Sequence, residues 1–420
     1  MLDKKSLAIL SEAIKFCCSI SLNGTIYNEN DECLIEFGFS FEIQEMPNEI
    51  TLNSKIEFCR EDDYNEDSCS KMKVGEFIEL YSDISSYKLV NNSIVYGKNL
   101  ALFCVAGSDD YTVAKLVKNP IDSWCHTKIF IDSKEYRVEF LSERQVIFDI
   151  LLLKEQVFDK ELSPYTEDCF IKISSANELD RKIAQNLAEA LIFELATTHK
   201  IYLTHAKIIG GLDLDSIETN NNIDGKMFPL LTGKGIPELL NLYNKTIGID
   251  NSDYAILSLV KIIEYVAPTV VKEDLHTLIS LKLSSPQVFN PTPDYISELQ
   301  KIFYDNKCKQ QKDSELIKAA ILKIVDFSEI KNILPNFLNH RNNSMTEKRQ
   351  EILTDLSKAI SDTRNYIAHA KANYSNKGLE CPESEKQDFI SILTIIARQC
   401  IRWFYNKPEN ERIINLNSRN

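Results

Sequence analysis

The sequence predicts an α+β chain of several domains, with a β-rich N-terminal domain followed by an α-helical bundle. Three observations carry that expectation. The 420 residues exceed what one ordinary core accommodates. Short runs of β-branched and aromatic residues, broken by Asn, Asp, Gly and Ser, fill the chain to about residue 175. Near Asn177 the apolar period changes from two to four. The expected domains are residues 1–175, β-rich with a leading helix, 176–250, a helix–strand connector, and 251–412, all helical.

Leu7 to Leu22 has the pattern of an amphipathic helix; Glu12 and Lys15 interrupt it, so it does not resemble a signal peptide. Strands are expected at Ile26-Tyr27, Cys33–Phe41, Ile50–Phe58, Phe77–Tyr81, Tyr87–Tyr96, Leu100–Ala106, Val146–Leu153 and Phe170–Ile173. A hairpin is expected between Thr127–Phe130 and Tyr136–Leu141, around Asp132-Ser133-Lys134. Asn177–Thr198 carries Leu179, Ile183, Leu187, Leu191 and Leu195 at spacings of four, a helix, and Lys200–Ile209 reads as a strand. Residues 213–250 read as a polar boundary. Helices then follow at Asp253–Val266, Val271–Lys282, Pro293–Tyr304, Asp313–Val325, Met345–Ala372 and Glu383–Tyr405, with prolines as punctuation.

Composition narrows the function classes. A hydrophobic fraction of 44% with only 12 Gly and 12 Pro argues for folded domains without long flexible linkers. No run approaches the roughly 18 uninterrupted apolar residues that span a bilayer, so no membrane partner is expected. Eleven irregularly spaced cysteines with no CxxC suggest reduced thiols in a cytoplasmic protein. No Cys/His cluster has zinc-ligand spacing, and neither a metal nor a cofactor is expected. The net charge of -14 is uneven: residues 1–250 carry 25 basic against 41 acidic side chains, residues 251–420 carry 23 against 21. The second part therefore meets a polyanion without strong repulsion.

The chemistry-bearing stretch is Asp362-Thr-Arg-Asn-Tyr-Ile-Ala-His369. An apolar stripe of Leu353, Leu356, Ile360, Ile367 and Ala370, with Thr363, marks one helix face. His369 stands about 200° from Ile367, away from that stripe. Asp355, Lys358, Asp362, Asn365 and His369 form a polar face at spacings of three and four. Arg364 is five residues from His369, about 140° and 7.5 Å away on an ideal helix, and both are expected off the apolar stripe. A solvated helix face that happens to hold these residues remains the bland alternative.

Arg364-Asn-Tyr-Ile-Ala-His369 resembles the Rx4–6H motif of HEPN domains, in which Asn commonly follows the Arg. The β-rich first half, the helix–strand connector and the helical second half are similar in layout to ApeA-like HEPN proteins of prokaryotic abortive-infection defence. The resemblance implies a metal-independent endoribonuclease cleaving RNA, with tRNA a candidate substrate. It implies Arg364, Asn365 and His369 as catalytic residues, with Asp362 and Tyr366 in support. Arg398, Arg402 and Lys371 are candidates for contacting flanking phosphates. Each chain supplies one motif histidine where acid and base roles want two groups, so a homodimer through the helical domain is expected. The acidic N-terminal domain would restrain the nuclease or sense a phage-derived trigger. The rival reading is a non-catalytic HEPN module that binds RNA, nucleotide or protein; in a third, the motif is controlled by modification at Tyr366.

Other signals fail. Leu231-Thr-Gly-Lys-Gly-Ile lacks the flanking residues of a P-loop, and no GxSxG elbow occurs. His126, His199, His205, His276 and His340 share no spacing.

Overall fold

The computed structural model describes residues 2–38, 46–60, 69–108, 112, 116, 121–155, 169–205, 225, 227–247, 249, 251–338 except 311, 348–368 and 378–414. The β-rich first part and helical second part are both present. The chain divides into two compact units, Met1–Leu230 and Leu231–Asn420.

The first unit opens with α1 (Lys4–Ser19), capped by Asp3, whose carboxylate accepts from the Ser6 amide at 2.6 Å. An antiparallel sheet follows, of β1 (Leu22–Tyr27), β2 (Cys33–Phe37), β3 (Lys55–Arg60) and β4 (Ser70–Lys73), in the order β2-β1-β3-β4. The second sheet contains β5 (Lys88–Val90), β6 (Ile94–Tyr96), β7 (Leu100–Gly107), β8 (His126–Ile131), β9 (Lys134–Leu141) and β10 (Cys169–Ser175), in the order β5-β6-β7-β10-β9-β8. β11 (Leu203–His205) pairs with β7 from the far end of the unit. The expected hairpin is β8–β9, with Ile131 opposite Lys134. Asp132 and Ser133 between them take φ of 48° and 64°, the left-handed pair that a tight hairpin turn needs.

Two expected strands are helices. Phe77–Tyr81 lies in α2 (Val74–Ser82): Val74, Phe77, Ile78 and Tyr81 recur at helical spacing, and the Glu76 carboxylate accepts from the Lys73 amide at 3.2 Å. Val146–Leu153 lies in α3 (Val146–Glu155), where Val146 to Leu152 are all buried. Val146 and Ile150 join the core of the first sheet, while Ile147, Phe148, Leu151 and Leu152 join that of the second. A helix buried on every side has no polar face, and its apolar run is then indistinguishable from a buried strand. The helix expected from Asn177 is α4 (Arg181–Glu194), capped by Asp180 and continued by a wider turn to His199.

The all-reduced reading of the cysteines also needs correction. Cys59 and Cys69 form a disulfide with their Cα atoms 4.8 Å apart. They face each other one step beyond the Phe58–Ser70 pairing of β3 and β4, a proximity that irregular spacing in the sequence conceals.

The second unit is built around one helix. Its elements are α5 (Ile236–Asn244), α6 (Ser252–Leu283), α7 (Pro293–Gln310), α8 (Asp313–Ile324), the short α9 (Phe327–Ile330), α10 (Arg349–Ala368) and α11 (Lys386–Tyr405). α6 runs straight through Pro268, where two helices were expected. The missing amide costs a helix about 3 kcal/mol, yet Val266, Ala267, Thr269, Val270 and Val271 around it are all buried. Buried branched side chains contribute roughly 1.5–3 kcal/mol each, which outweighs the break. α6 is the one helix among the described residues that is long and apolar enough to cross a membrane, and 67% of that window is buried within the fold, as in a core helix. α5, which the sequence pattern missed, packs on α6 and α11. Its N-cap, Gly235, takes φ of +81°, a conformation most side chains resist.

Two substitutions test this description of the first unit. Phe103→Ala removes a fully buried ring and should cost about 3–5 kcal/mol. Ser133→Gly relieves a left-handed residue in the β8–β9 turn and should stabilise by roughly 0.5–1 kcal/mol. Urea unfolding followed by circular dichroism reads both, with opposite signs expected.

Candidate active site

Three helices of the second unit build the site. α10 buries Ile352, Leu353, Leu356, Ala359, Ile360 and Thr363 against α6 and α8. Of the expected stripe, Ile367 is half-buried and Ala370 lies outside the described residues. The buried arc is wider than the stripe, because neighbours cover α10 on two sides. It includes Ser357, Ser361 and Asp362. The polar face is correspondingly narrower than expected: Lys358 is exposed, Asp355 and Asn365 are half-buried, and Asp362 is 5% exposed. Asp362 therefore belongs to the helix interior.

Arg364, expected off the apolar stripe, is half-buried beside it. It follows Ile360 by four residues, one turn along the inward face. Its guanidinium reaches between helices: Nε lies 3.1 Å from Oε1 of Glu264 on α6, and Nη2 lies 3.5 Å from Oδ2 of Asp313 at the start of α8. Nη1 donates to Oδ1 of Asn365 at 3.0 Å. The Arg364 and Glu264 side chains are each 26% exposed, whereas Asp313 is 65% exposed. The Nε–Oε1 approach is close but poorly aligned, so the buried Oε1 makes an ion pair without a well-directed hydrogen bond.

Glu264 is the residue that sequence reasoning missed. Burial pushes its carboxyl above the ordinary 4.5, and Asp313 adds to this, while Arg364 and Lys261 pull the other way. A signal was present. Between Asp253 and Lys272 the only charged residues are Lys261 and Glu264, and a carboxylate in an otherwise apolar helix calls for a cation.

Tyr366 is 41% exposed. His369 and Lys371 lie outside the described residues. α10 is described as far as Ala368, and the described residues continue from Gly378, with φ of +96°. The Cys381 amide then donates to the buried Thr363 hydroxyl at 2.8 Å. The segment around Cys381 is thereby fixed to α10 one residue before Arg364. Arg398 and Arg402 stand one turn apart on α11, and Arg398 pairs with Glu329 of α9. Among the other histidines, His199 is buried against the Trp124 ring and His205 contacts Glu189 at 3.0 Å. Among the described residues no three His, Cys, Asp or Glu side chains converge in a metal-binding group.

No family model, curated protein or solved structure matches this chain. The site must be read from its own chemistry. A guanidinium on a helix is held by an amide and by one half-buried and one exposed carboxylate. The exposed Asp313 can give way to a ligand anion, whereas Glu264 and Asn365 keep the guanidinium plane fixed.

Two outcomes follow for stability. Arg364→Ala leaves Glu264 half-buried without its cation, and should cost about 1–2 kcal/mol, well above a surface substitution. The folded Glu264 binds its proton more tightly than the unfolded one, so its contribution favours folding at low pH. That contribution fades as pH rises from the ordinary carboxylate value through the raised folded value. Glu264→Gln should flatten this segment of the stability–pH curve in urea titrations, and Asp313→Asn, which removes one charge that raises Glu264, should flatten it in part.

Proposed function

We propose that the chain is a metal-independent HEPN-type endoribonuclease that cleaves RNA, with tRNA as the first substrate to test, in abortive-infection defence against phage. The observation that carries this reading is the joined Arg364–Asn365 pair on α10, with Asn365 four residues before His369 in the sequence. A fixed guanidinium suits the charge that develops on a phosphate under attack. An imidazole with an ordinary pKa of roughly 6.5 suits proton transfer at neutral pH.

In the proposed reaction the RNA 2′-oxygen bonds to the adjacent phosphorus, and the bond from phosphorus to the 5′-oxygen breaks. One imidazole takes the 2′-hydroxyl proton and another gives a proton to the leaving 5′-oxygen. Arg364 stabilises the phosphorane-like charge, with Asn365 holding its plane. Two histidines require two chains, so the working form in this proposal is a homodimer whose motif helices share a cleft. The first unit would then regulate, by restraint or by binding a phage component.

A second reading has its own observation. Glu264 and Asp313 already satisfy much of the Arg364 charge, as in a non-catalytic module where the arginine is structural. Activity decides between the two.

The experiment is expression in bacteria of the wild type and of Arg364→Ala, Arg364→Lys and His369→Ala variants, with sequencing of RNA ends. New ends bearing a 2′,3′-cyclic phosphate and a 5′-hydroxyl are expected in the wild type alone and should persist in EDTA with purified protein. Losses of more than 100-fold are expected for all three variants, Lys included, because an ammonium does not present a planar fork. 5′-Phosphate ends would assign the cleavage to water or metal chemistry, and RNA binding without new ends would favour the non-catalytic module. Sedimentation of the purified protein should give twice the chain mass; a fully active monomer would remove the composite cleft.

A further inference from the structure

The Cys59–Cys69 disulfide sits at one end of an edge strand. β4 has four residues and, among the described residues, occupies the sheet edge and pairs with β3 alone. The bond joins the two strands one step beyond the Phe58–Ser70 pair. α2 follows β4 without a linker, and its Val74, Phe77 and Ile78 pack into the same core as Phe58 and Leu10. At the β4–α2 junction the amides of Val74 and Gly75 donate to Ser54 and Leu52 carbonyls at 2.9 and 3.0 Å. The far end of β4 is therefore held by packing and hydrogen bonds, and the near end by the disulfide.

The remaining described thiols divide by exposure. Cys17, Cys104, Cys125, Cys169, Cys381 and Cys400 are buried. Burial pushes Cys17 far up and Cys125, Cys381 and Cys400 to about 12, so they are poor thiolates. Cys59 and Cys69 are both half-buried, less enclosed than the buried thiols.

We propose that the Cys59–Cys69 bond is a redox clasp on the edge of the first sheet, opened by a dithiol reductant of the thioredoxin class. The reductant thiolate attacks one of the two sulfurs, breaking their bond and forming a mixed disulfide. Its second thiol closes on the first, leaving an oxidised reductant and two protein thiols, a transfer of two electrons and two protons. The near end of β4 then frays and uncovers the backbone edge of β3, a template for another strand. This inference is independent of the ribonuclease reading.

The test is hydrogen–deuterium exchange by mass spectrometry on the full chain, air-oxidised and then treated with dithiothreitol. Closing a loop of this size in the unfolded chain corresponds to a factor on the order of 100 in local opening. Amides of residues 70–73 should therefore exchange on the order of 100-fold faster after reduction, with β9 and β10 unchanged, and oxidised glutathione should restore slow exchange. A Cys59→Ser, Cys69→Ser double variant should exchange at the fast rate with or without reductant, whereas Cys33→Ser should behave as wild type. Equal exchange before and after reduction overturns the clasp. So does melting of the whole first unit on reduction, or a peptide map of oxidised protein in which Cys59 and Cys69 are both free thiols.

Discussion

A helix that is apolar on almost every side has to be enclosed, and α6 sets this constraint for the second unit. Its 32 residues extend about 48 Å, and its buried residues run from Ala255 to Val271. α5, α7, α8, α10 and α11 all pack on it. Lys386, near the start of α11, ties Asp253 to Glu383, with its ammonium 2.5 and 2.6 Å from their carboxylates. At the other end of the bundle, the Ile413 amide donates to Thr269 at 2.9 Å, and Arg412 donates to the Tyr405, Lys407 and Lys234 carbonyls. The bundle is thus fixed to its central helix at both ends of the buried span.

Within that enclosure Glu264 is the electrostatic exception, and Arg364 answers it. A carboxylate on the central helix requires a cation, and α10 supplies one at the turn where its motif begins. The pairing links the packing of the bundle to the geometry of the candidate site, because Arg364 cannot move without exposing a half-buried charge. The second carboxylate, Asp313, is mostly exposed and holds less firmly. A site with one fixed and one yielding counter-ion suits the exchange of a carboxylate for a phosphate.

The first unit follows a different logic. Its two sheets share α3, which contributes buried residues to both cores, and Leu80 of α2 packs against both as well, so their packing is coupled through these helices. Short strands with one partner, such as β4, are held at their margins by turns, caps and the Cys59–Cys69 bond. Edge elements of this kind open at lower cost than central strands such as β7 or β10.

The sequence by itself determined the β-then-α order, the β8–β9 hairpin, the helix that follows Asn177 and the helical character from Asp253 onward. Each of these is written locally, in a repeat of two or four residues or in turn residues such as Asp132-Ser133. Tertiary structure decided what local pattern cannot encode. α3 reads as a strand because burial on all sides erases its polar face, and α6 spans Pro268 because its surroundings outweigh a missing hydrogen bond. Asp362 falls inside because two neighbours, not one, cover α10. Arg364 turns toward the core because Glu264, one hundred residues earlier in the chain, lies within reach. A charge pair between distant helices leaves no spacing in the sequence, since its distance is set by how the helices pack.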